Sequence, residues 1–142
     1  MLNFGEKLDG VEYIELPGAR AIIRNAEGKF AFVDVNGQYF LPGGGLEAGE
    51  TPEQAVIREC IEEIGARVTV GRKIGTAGDY VFGRKEQKYF HKVADFFEAT
   101  IEKMEGTGIE ADHKLVWRTL EEARTFIKQK AQEWAIQQLL AK

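Results

Sequence analysis

The chain has 142 residues, of which 44% are hydrophobic and 30% charged, with a formal net charge of −4. That balance supports a buried core and excludes a general basic surface for a nucleic-acid polymer. No apolar run is long enough to span a bilayer, nothing near Met1 resembles a secretion signal, and the single cysteine, Cys60, excludes an internal disulfide, so one domain over 1–142 in a reducing, cytoplasmic setting is expected.

Residues 11–16 alternate in polarity and read as an edge strand. Residues 19–24 and 29–35 read as a hairpin across Asn25-Ala26-Glu27-Gly28. A short apolar strand at 38–41 runs into Leu41-Pro42-Gly43-Gly44-Gly45, where glycines let the backbone approach a metal or phosphate closely. A helix then starts with Thr51 as N-cap, Pro52 in the first position and Gln54 closing a capping box, and it stops at Gly65. Two strands, 68–74 and 76–82, are expected to break at Gly75. Residues 87–99 are β-rich with Tyr89, His91 and Val93 on one face, and 114–118 is a short strand. From Leu120 the pattern is helical. It reads as one helix to the end, or as a 121–127 piece followed by a 130–140 helix, with Ala131, Trp134, Ala135, Gln138 and Leu139 facing inward. This order predicts an α/β fold with a mixed sheet between helices.

The helix after Thr51 carries the chemistry. Residues advance by about 100° each, which gathers Glu59, Glu62 and Glu63 on one face with Ile57, Cys60, Ile61 and Ile64 roughly opposite. Arg58 sits one turn before Glu62 and can pair with it. Glu59 and Glu63 are a like-charge pair with no lysine beside them, an arrangement that is unfavourable by a few tenths of a kcal/mol. A solvated acidic face would explain the charge but not the glycine turn just upstream. Oxygen-only ligands favour magnesium, with manganese as the alternative, over zinc.

The spacing Gly44, five residues, Glu50, seven residues, Arg58-Glu59, then Glu62-Glu63 and Gly65 resembles the Nudix box. Cys60 and Ala66 stand where that pattern prefers larger aliphatics. The resemblance implies a Nudix-type α/β/α sandwich with a mixed central β-sheet. It also implies a hydrolase that cleaves the pyrophosphate linkage of a nucleoside diphosphate derivative, with divalent ions neutralising the phosphate oxygens. By the same resemblance Glu59 and Glu63 are the primary metal ligands, Glu62 is a further or water-mediated one, and the carbonyl of Gly44 completes the set. Arg58 orients the carboxylates, and Glu50 ties loop to helix. Gly43, Gly44, Gly45 and Arg24 are expected to meet the substrate.

The general base is a box glutamate or lies in the loop 105–113, where Glu110 is the first candidate and Asp112 and His113 are the alternatives. Arg20 and Arg84 are further arginines suited to phosphate, and Tyr80, Phe82 and Tyr89 could line a base pocket. The expected roles of His91, Trp117 and Trp134 are structural. The resemblance leans to a nucleoside triphosphate or a nucleotide sugar as substrate and leaves room for a homodimer. The competing reading is a Nudix-like domain that binds nucleotide as a sensor, although such domains commonly lose box carboxylates that this chain keeps.

Overall fold

The computed structural model describes residues 1–109 and 111–141. Strands β1 (Leu2–Phe4), β2 (Ile14–Ile22), β3 (Phe30–Val35), β4 (Gln38–Phe40) and β5 (Gly43–Gly45) precede helix α1 (Pro52–Ile64). Strands β6 (Ala66–Gly83), β7 (Lys88–Met104) and β8 (His113–Arg118) follow. The short helix α2 (Leu120–Ala123), a 3₁₀ turn (Arg124–Phe126) and helix α3 (Lys130–Leu140) complete the order.

The strands form two sheets, in the orders β1-β6-β7-β2-β5 and β4-β3-β8. The larger sheet is mixed: β2 runs parallel to β7 and β1 parallel to β6, while β6–β7 and β2–β5 are antiparallel. Side chains alternate across each strand, so the two faces bury different residues. Ala19, Ala21 and Ile23, with Ala31 and Val33, pack against Val56, Cys60 and Ile64 of α1. Ile22, Phe30, Phe32 and Phe96 face the other way, against Ala131, Ala135, Ile136 and Leu139 of α3. The result is an α/β/α sandwich.

Several elements differ from the sequence reading. The strand expected at 11–16 begins only at Ile14, and β2 continues through Ile22 between β7 and β5. The hairpin partners 19–24 and 29–35 feed different sheets. They meet only around an Arg24–Phe30 bridge, where Ala31 N donates to Ile23 O at 2.9 Å. Gly75 does not break its strand: β6 runs on through register shifts around 70–75, and a side chain at Gly75 would meet the Trp134 ring at 2.8 Å. The C-terminal region follows the two-piece reading, but Gln132 and Ile136 are buried and Gln138 is only half-buried.

Helix α1 keeps its expected ends. Thr51 Oγ1 accepts from Gln54 N at 3.1 Å, the Gln54 side chain accepts from Thr51 N at 2.9 Å, and Gly65 stops the helix with φ 65°. Its buried stripe is rotated from the expected one. Ala55, Val56, Cys60 and Ile64 are buried, Ile61 is half-buried, and Ile57 is 38% exposed. Glu63 turns inward too and is only 6% exposed. Seven residues of helix return it to within about 20° of Val56, so Glu63 belongs to the packed face and not to the one opposite.

Candidate functional site

The site forms where α1 packs against β5. Gly43 extends from β4 towards β5 so close to β2 that a Cβ there would overlap Ala19 O and lie 2.6 Å from Arg20 Cα. Only glycine fits, and its φ of 146° again suits glycine. At Gly44 a Cβ would lie 3.0 Å from the Glu59 carboxyl carbon and 3.1 Å from both its oxygens. Gly43, the first glycine of the run, therefore lets the turn close on β2, and Gly44, the second, clears space for the Glu59 carboxylate of α1.

Side chains hold the turn's backbone groups individually. Gly43 N donates to Glu63 Oε1 at 2.8 Å, and Arg58 Nη2 donates to Gly45 O at 3.0 Å. Arg20 Nη1 donates to Leu41 O at 2.7 Å and to Gly43 O at 3.5 Å. Leu41 N donates to Gln132 Oε1 at 2.7 Å, reaching across 91 positions of sequence. Gln132 is only 2% exposed, and its Nε2 donates to Gln129 Oε1 at 3.0 Å.

Arg58 is the counter-ion of the carboxylate helix. Its Nε donates to Glu50 Oε2 at 2.7 Å and its Nη2 to Glu50 Oε1 at 3.0 Å, a two-pronged contact across the loop. Its Nη1 reaches Glu59 Oε1 at 2.8 Å and Glu62 Oε2 at 3.3 Å. The Arg58 hydrogen bond holds the Glu50 carboxyl down to about 2. Glu62 sits with Arg58 on the outer side of the helix, whereas Glu59 and Glu63 point to the glycines. Burial, opposed by the Gly43 N–H and the Arg20 charge and reinforced by Glu59, pushes the Glu63 carboxyl up to about 7.

The loop after β7 docks on the end of α1. Glu105 N donates to Gly65 O at 2.7 Å and Ile109 N to Glu62 O at 2.8 Å. His113 Nδ1 then lies 3.3 Å from Glu63 Oε2, while Asp112 is exposed with Oδ1 3.8 Å from His113 Nε2. Glu110, the first candidate for the base, lies outside the described residues.

Not every candidate is brought together. Arg24 is exposed in the hairpin, its guanidinium 5.8 Å from the centre of the Phe30 ring, and it lines no cavity near the turn. Arg20, four residues earlier on β2, takes the place beside the glycines. His91 of the central strand β7 is held between Glu15 at 2.7 Å and Asn3 at 2.6 Å and stacks on Tyr80, a structural placement. Gln132 carried no sequence signal. Its position depends on long-range packing, and only the inner stripe of α3 could have pointed to it.

As a metal site the arrangement is open. Glu59 lies beside Gly44 and Glu63 accepts from Gly43 N, and among the described residues no three Asp, Glu, His or Cys side chains form a cage. Magnesium is commonly held by one or two carboxylates with water and substrate phosphates supplying the rest, so this donor set fits it.

A NUDIX domain profile matches residues 15–140, and the chain belongs to that family. It is 32% identical over 136 residues to an 8-oxo-dGTP diphosphatase of Haemophilus influenzae, covering 77% of this chain and 94% of that protein. It is also 42% identical over 53 residues to an RNA pyrophosphohydrolase of Aeromonas hydrophila, covering 36% of this chain and 30% of the relative. A NUDIX hydrolase from Nitrosomonas europaea has the same fold, with a TM-score of 0.73, 18% identity and 89% of each chain covered. Among the described residues no helix is long and apolar enough to cross a membrane.

Proposed function

We propose that the chain is a divalent-metal-dependent hydrolase of the pyrophosphate linkage in a nucleoside diphosphate derivative, of the triphosphate or nucleotide-sugar type. The observation that carries this reading is the meeting of Glu59 and Glu63 at Gly43 and Gly44, with Arg58 bracing the carboxylates from outside. The diphosphatase and pyrophosphohydrolase names of the relatives support the same class of reaction. Glu59, Glu63 and the Gly44 carbonyl would hold magnesium, or manganese, with Glu62 nearby through water. The ion would neutralise phosphate oxygens and make a bound water more acidic.

The remaining work falls to the chain's own groups. In the reaction a water oxygen bonds to one phosphorus, the anhydride P–O bond breaks, and the second phosphate leaves with the bridging oxygen. The water's proton needs an acceptor. His113, facing Glu63 Oε2, is placed to exchange a proton with that carboxylate, with Asp112 next to it in the chain; Glu110, the first candidate by sequence, lies outside the described residues. Glu50 fixes Arg58, and Arg58 fixes Glu59, so the ligand carboxylates are oriented before substrate arrives.

A panel of nucleotide derivatives with magnesium, followed by released phosphate or pyrophosphate, tests the reading. Glu63→Gln is expected to lower turnover by about a thousandfold or more while leaving the fold intact. Near-full activity in that variant, or nucleotide binding without turnover across the panel, would reject the proposal.

A further inference from the structure

The last carbonyls of a helix have no partner within it. At the end of α1, Gly65 N donates to Ile61 O at 3.1 Å, and the next carbonyl, Glu62 O, accepts Ile109 N at 2.8 Å from the loop after β7. The antiparallel pairing of Ala66 with Met104 runs on into this loop, where Glu105 N donates to Gly65 O at 2.7 Å. Residues 105–107 and Ile109 are exposed, and a cavity of about 440 Å³ lies beside them, lined in part by Ile64, Met104 and Leu115. Backbone contact with the helix end, more than side-chain burial, therefore holds the loop in place.

That contact is close because Gly108 has no side chain. A Cβ there would overlap Glu63 O and lie 2.7 Å from Glu62 O. Gly108 has no left-handed φ, so the requirement is space and not conformation. The atoms it touches are the backbone of the two glutamates at the end of the carboxylate helix. On the other side of the same pair, a Cβ at Gly65 would overlap Gly106 O, so helix end and loop are fitted to each other from both directions.

The loop leads into His113, which opens β8 and is fixed opposite Val35 of β3. His113 Nδ1 lies 3.3 Å from Glu63 Oε2, while Glu63 Oε1 accepts Gly43 N at 2.8 Å. The carboxylate is thus met on one oxygen by the glycine turn and on the other by the strand that the loop joins. How near the end of α1 comes to that strand is set by the Gly108 contact.

We propose that Gly108 is a positioning residue for the reaction: by letting the loop backbone close on Glu62 and Glu63, it holds the Glu63 carboxylate and His113 face to face. This rests on the hydrolase reading given above, and it is tested both with and without turnover. In metal-free protein, Gly108→Ala should speed deuterium exchange at the Ile109 amide about tenfold or more and shift the ring-proton signals of His113. In turnover, Gly108→Ala should lower kcat about tenfold or more and leave KM within about twofold. Ile109→Pro, which removes the donated N–H and adds nothing at Gly108, should do the same, and Ile109→Val, which keeps the N–H, should restore the parent kcat. An Ile109 amide that exchanges equally fast in Gly108→Ala and the parent, unmoved His113 signals, or an unchanged kcat would overturn the assignment. If Gly108→Ala does not fold, the Ile109 pair decides, and equal kcat in Ile109→Pro and Ile109→Val overturns it. If the parent hydrolyses nothing, the hydrolase reading fails while the exchange rates and the His113 signals still decide whether Gly108 sets this contact.

Discussion

At the scale of single residues the site depends on what is missing from the glycine turn. Gly44 has an ordinary backbone conformation, so alanine there adds no backbone strain, but its Cβ would press on the Glu59 carboxylate at 3.0 Å. Gly44→Ala is therefore expected to leave the melting temperature nearly unchanged and to lower kcat about a hundredfold, the size of effect a displaced ligand of about an ångström produces. Unchanged kcat alongside unchanged melting would show that Glu59 does not work from this position. Glycines, arginine and glutamates were all legible as a spacing. The distribution of partners was not, because Arg58 chooses among Glu50, Glu59 and Glu62 by the path of the loop that brings Glu50 back to the helix.

Elements differ in how much of them local chemistry decides. The ends of α1 follow from Thr51, Pro52, Gln54 and Gly65, each acting within a few positions, and the structure has them where the sequence reading put them. The face that α1 buries depends on what it meets: Val56, Cys60 and Ile64 pack against β2 and β3, Glu63 beside them accepts the Gly43 N–H, and Ile57 is left exposed. The separation of β2 from β3 into different sheets is likewise set by their distant partners β7 and β8. Helix α3 shows the same dependence, since Gln132 serves Leu41 far away in the chain. Gln132→Leu leaves the Leu41 N–H buried without its acceptor and should cost about 1–3 kcal/mol. Urea unfolding measures this; a midpoint equal to the parent's would mean water or a shifted backbone replaces the bond.

Over the whole molecule, the proposed metal site would set metal and proton in competition for one buried carboxylate, that of Glu63. The Glu63 carboxyl is raised to about 7 in the metal-free fold, so below that pH the folded state holds a proton that the unfolded chain has released above the ordinary glutamate range. The metal-free protein therefore loses this contribution as pH rises from about 4.5 through 7. If Glu63 holds magnesium as proposed, the ion would displace the proton, and its stabilising effect should grow across the same window. Melting curves at fixed ionic strength are expected to show a larger magnesium-induced rise at pH 8 than at pH 6, and Glu63→Gln should flatten the difference. A rise independent of pH in the parent would remove Glu63 from the ligand set. The sandwich architecture and the box helix were readable because repeating local patterns encode them, whereas the contact of Gly108 with the end of α1 arises only when β7 has brought its loop back to that helix. The Leu41–Gly45 segment, finally, hangs from β2, α1 and α3 together. Competence of the reaction centre is thus a gauge of assembly: a chain whose last helix has frayed would keep its box helix and fall silent. In a genetic screen, changes scattered along α3 would masquerade as lesions of the chemistry itself.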